Sequence, residues 1–352
     1  MKTVIISGIT GQDGANMAEY LLANTNHKIV GMVRRSATNN HLNCKKFKNN
    51  KNFSFEYGDL SDSQSINQIV KKNQPDYFIN FGANSYVGCS WQMPEQIIDV
   101  NTLGVVRCLE AIRNFKPSCR FYSAGSSEEW GDVDYSPQNL KHPLKPRSPY
   151  GASKASARHF VKVYRESYGL FAIHSILFNH EGTKRGEEFV TRKITKNVAR
   201  IYHCIQNKEP FKPLELGNLD SKRDWSDSED FVRGVWLMLN QDKPKEYILS
   251  SDETHSIREF VEIAFKELGI EGIWHGKRLK EEYSLKKEDM DKTEAVSSVL
   301  VRVNPKFYRP AEVELLLGDS SLARKELDWK PKISFDELVK KMVRFDVDNY
   351  KK

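Results

Sequence analysis

Tyr150 and Lys154 stand four residues apart in Tyr150-Gly-Ala-Ser-Lys154, which places a phenol and an ammonium on one helical face. An ammonium beside a phenol favours phenolate, and so makes a tyrosine usable as a base near neutral pH. Upstream runs Tyr122-Ser-Ala-Gly-Ser126-Ser127-Glu128-Glu129-Trp130-Gly131. The Ser126 hydroxyl can orient a substrate oxygen, and a carboxylate beside it can move a second proton. A reductase needs only the serine, tyrosine and lysine. An added acid points to a reaction that breaks a C–H and a C–O bond, an elimination. Glu129 is a second candidate for that acid; counting back from the Trp130-Gly131 turn selects Glu128. Each residue also has a plainer reading: a chance Tyr-x-x-x-Lys on an amphipathic helix, a polar strand-end turn, a surface charge.

To meet, these groups must sit at the ends of neighbouring elements. Short apolar runs at Thr3–Ser7, Lys28–Val33, Phe53–Tyr57, Tyr77–Phe81, Arg120–Ser123 and Ile173–Leu177 predict strands. Helical spacing intervenes at Asn16–Leu22, Gln64–Val70, Val105–Ile112 and from about Tyr150. This alternation predicts an α/β fold, a doubly wound parallel sheet of Rossmann type covered on both faces. Beyond Asn179 helices are expected at Arg192–Gln206, Asp230–Leu239, Ile257–Leu268 and Phe335–Met342, and Lys277–Thr293 reads as a solvated insertion. The division expected is a dinucleotide-binding domain over residues 1–178 and a smaller substrate-binding lobe over 179–352, with some segments returning to the sheet.

Gly8-Ile-Thr-Gly11-Gln12-Asp13-Gly14 follows the first strand and opens the first helix. Glycines there let a pyrophosphate approach the backbone N–H groups of a helix N-terminus. An acid at the end of the second strand would bind a free ribose 2′-hydroxyl; Arg34, Arg35 and Ser36 suit a 2′-phosphate instead, which favours NADP over NAD. Asp59 and Leu60 after the third strand, and Phe81, Gly82 and Ala83 after the fourth, lie where such a cofactor would pass.

The chain is long enough for a large core, and its net charge of +7 suits a phosphorylated ligand as well as nucleic acid. No basic block interleaved with aromatics is present, so nucleic acid is not expected as a partner. No apolar run reaches membrane-spanning length, and the start Met-Lys-Thr-Val-Ile-Ile-Ser-Gly is too short in apolar residues for a signal peptide. The cysteines Cys44, Cys89, Cys108, Cys119 and Cys204 are widely spaced and suggest neither a disulfide framework nor a metal site. They read as buried thiols in a cytoplasmic protein.

Taken together, these residues resemble the extended short-chain dehydrogenase/reductase superfamily, in which epimerases usually carry a neutral residue where Glu128 stands. Longer motifs, including Leu177-Phe-Asn-His-Glu181, Phe189-Val-Thr-Arg-Lys-Ile194, Leu216-Gly-Asn-Leu-Asp-Ser-Lys-Arg-Asp-Trp225 and Tyr308-Arg-Pro310, closely resemble GDP-mannose 4,6-dehydratases over almost the whole length. That resemblance implies a homo-oligomer, dimer or tetramer, with a GDP-sugar substrate. Tyr150 would take the proton of the sugar 4-hydroxyl as hydride passes from C4 to NADP, Glu128 would remove the C5 proton and protonate the departing 6-hydroxyl, and the hydride would return to C6. Ser126 would bind O4. The resemblance puts His180 and Arg185 beside the cofactor. It assigns Ser85, Ser127, Asn179, Val190, Lys193, Gly217, Asn218, Arg223, Arg309 and Glu312 to the substrate.

The chain departs from the family in places. Ser126 replaces the usual threonine, Glu129-Trp130 the usual Leu-Tyr, and Ser226-Asp227 the usual Gly-His. The Ser36–Asn50 and Tyr86–Trp91 segments also differ. A related substrate such as a GDP-linked manno-heptose, a superfamily epimerase or reductase, and a non-enzymatic dinucleotide-sensing or RNA-associated relative are the rival readings.

Overall fold

The computed structural model describes residues 1–38, 40–288, 290, 297–308 and 315–350. In chain order its first half comprises β1 (Thr3–Ser7), α1 (Gln12–Asn24), β2 (Lys28–Val33), β3 (Phe53–Tyr57), α2 (Ser63–Asn73), β4 (Tyr77–Asn80), α3 (Pro94–Ile98), α4 (Gly104–Phe115), β5 (Arg120–Ala124), α5 (Pro149–Tyr168) and β6 (Ala172–Leu177). The second half adds β7 (Asn179–Glu181), α6 (Val190–Gln206), β8 (Leu214–Leu216), β9 (Lys222–Arg223), β10 (Trp225–Asp227), α7 (Ser228–Leu239), β11 (Ile248–Leu249), β12 (His255–Ser256) and α8 (Ile257–Lys266). It ends with β13 (Gly272–His275), β14 (Glu282–Leu285), β15 (Val299–Val303), β16 (Leu315–Leu316), α9 (Ser321–Leu327) and α10 (Phe335–Asp348).

The central sheet has seven strands in the order β11-β6-β5-β4-β1-β2-β3, all pairs parallel. Its inner strands are buried on both faces, which is why they read as near-continuous apolar runs rather than alternating ones. One face packs on α1 and α7 through residues such as Leu21, Phe231, Val235 and Trp329. The other packs on α2, α4 and α5 through Ile69, Leu109, Ile112 and Val161. The edge strand β11 and the covering helix α7 come from the second half of the chain.

A separate core joins α6, α8 and α10 to β8 and the antiparallel run β13-β14-β15. Here one expectation fails. Lys277–Thr293 is not wholly a solvated insertion, because β14 lies within it and buries Tyr283 and Leu285 in this core. Charged neighbours masked a two-residue alternation too short to read. Residues 289 and 291–293 of that stretch lie outside the described residues. The thiols also differ from expectation: Cys44, Cys108 and Cys119 are buried, whereas Cys89 and Cys204 are only half-buried.

The helix that must carry Tyr150 and Lys154 is fixed at both ends by local chemistry. Ser148 caps it, its hydroxyl accepting the Gly151 N–H at 3.0 Å, Pro149 occupies the first turn, and Gly169 ends it in the left-handed region.

Candidate active site

A cleft of about 2070 Å³ opens along the carboxyl ends of β1, β2, β4, β5 and β6, roughly twice the ~1,000 Å³ upper end for a single small ligand. Gly8, Gly11, Gln12, Asp13 and Gly14 line its floor. Gly8 sits at φ +67, and a Cβ there would come 2.7 Å from the Gly82 nitrogen; on Gly14 it would come 2.3 Å from the Gly8 oxygen. No side chain caps the α1 N-terminus, where Gly11 is the cap residue, so its first N–H groups remain available to an anion. The buried Gln12 Oε1 likewise has no partner. This cradle fits the diphosphate of a nicotinamide dinucleotide.

Asp59, Leu60, Phe81, Gly82 and Ala83 line the same trough, as does Arg34 at the end of β2. Arg35 and Ser36 do not; both are exposed beyond it, and the Ser36 hydroxyl meets that of Thr38. His180 bridges the two halves: its Nε2 lies 2.9 Å from Asp13 Oδ2 and its Nδ1 2.7 Å from the Phe178 oxygen. Burial opposes both charges, yet each holds the other, His180 above and Asp13 below its ordinary range. Arg185 pairs with Glu181 at 3.0 Å and stacks on Phe189.

At the centre, Ala124, Ser126, Ser127, Glu128, Tyr150 and Lys154 share one wall. Ser126 caps a single 3-10 turn, Ser127–Glu129, that follows β5. The Ser126 hydroxyl hydrogen-bonds the Tyr150 phenol and accepts the Glu128 N–H at 3.3 Å. Lys154 Nζ donates to the Ala124 oxygen at 2.7 Å. The first turn of α5 packs directly on this turn, for a Cβ on Gly151 would lie 2.3 Å from the Glu128 oxygen.

Burial pushes the Tyr150 phenol up, with Glu128 and Glu129 adding to it and the Ser126 bond and Arg185 opposing. Burial also lowers Lys154 from 10.5 to about 8 against the pull of Glu129 and Asp13. The lowering expected from the ammonium together with a nicotinamide's positive charge belongs to the cofactor-bound site; in the protein alone the phenol is raised. Burial is the largest cause of that rise, and the Lys154 ammonium stands 5.9 Å from the ring centre. The two acids separate clearly: Glu128 lines the cleft, whereas Glu129 is fully buried behind it.

Ser85, Asn179, Val190, Lys193, Gly217, Asn218 and Arg223 line the far half of the cleft. Asn179 Oδ1 is buried there with no hydrogen-bond partner among the described residues, an acceptor on the cleft lining. Lys193 lies 3.3 Å from the centre of the Phe307 ring, and burial lowers its pKa. Arg309 and Glu312 lie outside the described residues.

Sequence reasoning missed several lining residues. Lys196 and Arg200 continue a basic row on α6 at helical spacing, a signal that was present. Phe345, Asp346, Asn349 and Tyr350 reach the cleft from the end of α10, and nothing local marks them. Asn101, in a π-helical turn between α3 and α4, accepts the Asn84 N–H at 2.9 Å and bonds Ser153, tying a cleft loop to α5.

A parallel sheet with a glycine cradle after its first strand, and Ser, Glu, Tyr and Lys at its carboxyl edge, define a Rossmann-type protein of the extended short-chain dehydrogenase/reductase class. A dTDP-glucose 4,6-dehydratase from Streptomyces venezuelae, solved with NAD and TYD bound, shares the fold with a TM-score of 0.81 at 20% identity, over 99% of this chain and 97% of that one. A sequence model described as GDP-mannose 4,6 dehydratase matches residues 5–342. The chain is 42% identical to the GDP-mannose 4,6 dehydratase of Drosophila melanogaster, over 100% of this chain and 87% of that protein. It is also 42% identical to the GDP-mannose 4,6-dehydratase of Vibrio cholerae serotype O1, over 99% and 94%. The chain belongs to the GDP-mannose 4,6-dehydratase family.

Proposed function

We propose that this chain is a hydro-lyase that works with NADP and converts GDP-mannose to GDP-4-keto-6-deoxymannose. The observation that carries the reading is the shared wall of Ser126, Glu128, Tyr150 and Lys154, with the second acid turned away into the core. When bound, the nicotinamide supplies the acceptor for the C4 hydride and its return at C6, so no net redox change results. Tyr150 takes the proton from the sugar O4, Ser126 holds that oxygen, and Lys154 stabilises the phenolate. The C4 ketone acidifies the C5 hydrogen; Glu128 removes it and delivers a proton to the departing 6-hydroxyl. Arg34 is the group offered to a 2′-phosphate, which is the basis for NADP over NAD.

In this reading residues 1–178 hold the dinucleotide and 179–352 the GDP-sugar, with Asn179, Val190, Lys193, Gly217, Asn218, Arg223, Arg309 and Glu312 on the nucleotide sugar. The enzyme acts in the cytoplasm, where free thiols persist, and as a homo-oligomer. Supporting the last point, Ile98 of α3, Leu103 of the turn before α4, and Phe160 and Val163 of α5 are exposed apolar side chains.

The test is incubation with a panel of GDP-sugars in deuterated water, followed by mass spectrometry. GDP-mannose should lose water, gain solvent deuterium at C5 and consume no added cofactor. Net accumulation of NADPH would refute the closed hydride cycle, and turnover of a GDP-heptose alone would move the substrate to that sugar.

A further inference from the structure

Glu129 and His174 form a buried pair that the mechanism above does not use. Both side chains are wholly buried, with His174 Nε2 2.9 Å from Glu129 Oε1. The same oxygen accepts the Ser126 N–H at 2.9 Å, and the Ser126 hydroxyl meets the Tyr150 phenol. There is little slack: a Cβ on Gly125 would lie 2.4 Å from His174 Nε2 and 2.7 Å from Glu129 Oε1. His174 is held in register opposite Ser123 of the neighbouring β5, so the sheet fixes it rather than a loop. Beyond it stands Glu246, bonded to Arg158 and Arg165 of α5 and with His174 among the groups that favour its carboxylate. That helix carries Tyr150 and Lys154. A buried carboxylate is costly unless its oxygens are bonded, and Glu129 Oε2 has no hydrogen-bond partner among the described residues.

We propose that the Glu129–His174 pair is a positioning device for the reaction: it pins the Ser126 backbone so that the hydroxyl meets Tyr150, and it sets a fixed carboxylate behind Tyr150 and Lys154. The roles of Ser126 and Tyr150 in this inference rest on the dehydratase reading. The charges that bear on Lys154 are Glu129 and Asp13 of α1, and those on Tyr150 are Glu128, Glu129 and Arg185. Glu129 is the one that bears on both, and on both it favours the proton-bearing form.

Glu129→Gln keeps an acceptor for Ser126 and His174 but removes the charge, whereas Glu129→Leu removes both. Glu129→Gln should keep the KM for GDP-mannose and the C5 exchange, with its pH–kcat profile moved to lower pH by roughly half to one unit. Glu129→Leu should lose about tenfold or more in kcat with little change in KM. A Glu129→Gln profile that superimposes on wild type, or a Glu129→Leu with wild-type kcat, overturns the proposal. Lysine side-chain NMR, with Lys154 assigned by Lys154→Met, reads the charge without turnover and decides the matter if Glu129→Leu fails to fold. Lys154 should lose its proton at lower pH in Glu129→Gln, and an unmoved titration refutes the pair's role. A moved titration in a protein that yields no product from GDP-mannose sinks the substrate reading alone.

Discussion

Two neighbouring acids, Glu128 and Glu129, differ in sequence only by one position, and burial tells them apart. The half-buried position of Glu128 on the cleft lining suits proton transfer at C5 in the proposed reaction, so Glu128→Gln should reduce kcat about 10²–10⁴-fold and abolish C5 exchange in deuterated water. Cofactor binding measured by fluorescence should be unchanged. Lys154 gives a second prediction at this scale. Its folded pKa of about 8 lies below the usual 10.5, so between those values the unfolded chain holds more protons and stability rises with pH. Below about pH 8 the cost of burying the ammonium is present in full. Denaturant melts of wild type against Lys154→Met should therefore show the wild type gaining relative stability from about pH 8 to 10.5, by up to roughly 3 kcal/mol. A flat difference across that window would show Lys154 to be hydrated in the folded protein.

At the scale of elements, the wall that holds Ser126, Glu128, Tyr150 and Lys154 depends on how closely α5 approaches the turn after β5. The Ser148 cap and Pro149 start the helix, and Gly151 lets its first turn press on the Glu128 carbonyl. Adding one methyl there forces the turn and the helix apart by an ångström or so. Misplacement on that scale costs on the order of 10²-fold in rate. Gly151→Ala should accordingly lower kcat by about that factor, read by steady-state assay, while circular dichroism shows an intact and slightly better helix. Unchanged kcat would mean that the backbone at Glu128 is not held by α5. The Tyr-x-x-x-Lys spacing was legible because i and i+4 share a face in any helix. The need for glycine between them was not, since it arises from a strand-end turn far away in sequence.

For the whole molecule, the exposed apolar residues Ile98, Phe160 and Val163 lie on the helices opposite the face that carries Trp329 and α7. A second copy burying them would leave both clefts open. Val163→Glu should therefore shift the protein toward monomer in sedimentation or light scattering, with no loss in thermal stability of the monomer itself. An unaltered assembly state would count against a subunit contact on this face.

The sequence by itself determined the parallel sheet and the glycine cradle, and it marked Ser126, Glu128, Tyr150 and Lys154 as candidates that the structure brings to one cleft. All of these rest on local periodicity, or on turns next to the elements they serve. It also carried the longer motifs that place the chain in its family. Only the tertiary structure decided which basic residue faces the cofactor trough. Arg34 lines it while Arg35 and Ser36 do not, because side chains at a strand end diverge into different surroundings. The same holds for β14, whose burial depends on β15 and α8, and for the end of α10, which reaches the cleft after a long excursion. Glu129 was ambiguous until β6 brought His174 against it, since strand register across the sheet sets which buried charge finds a partner.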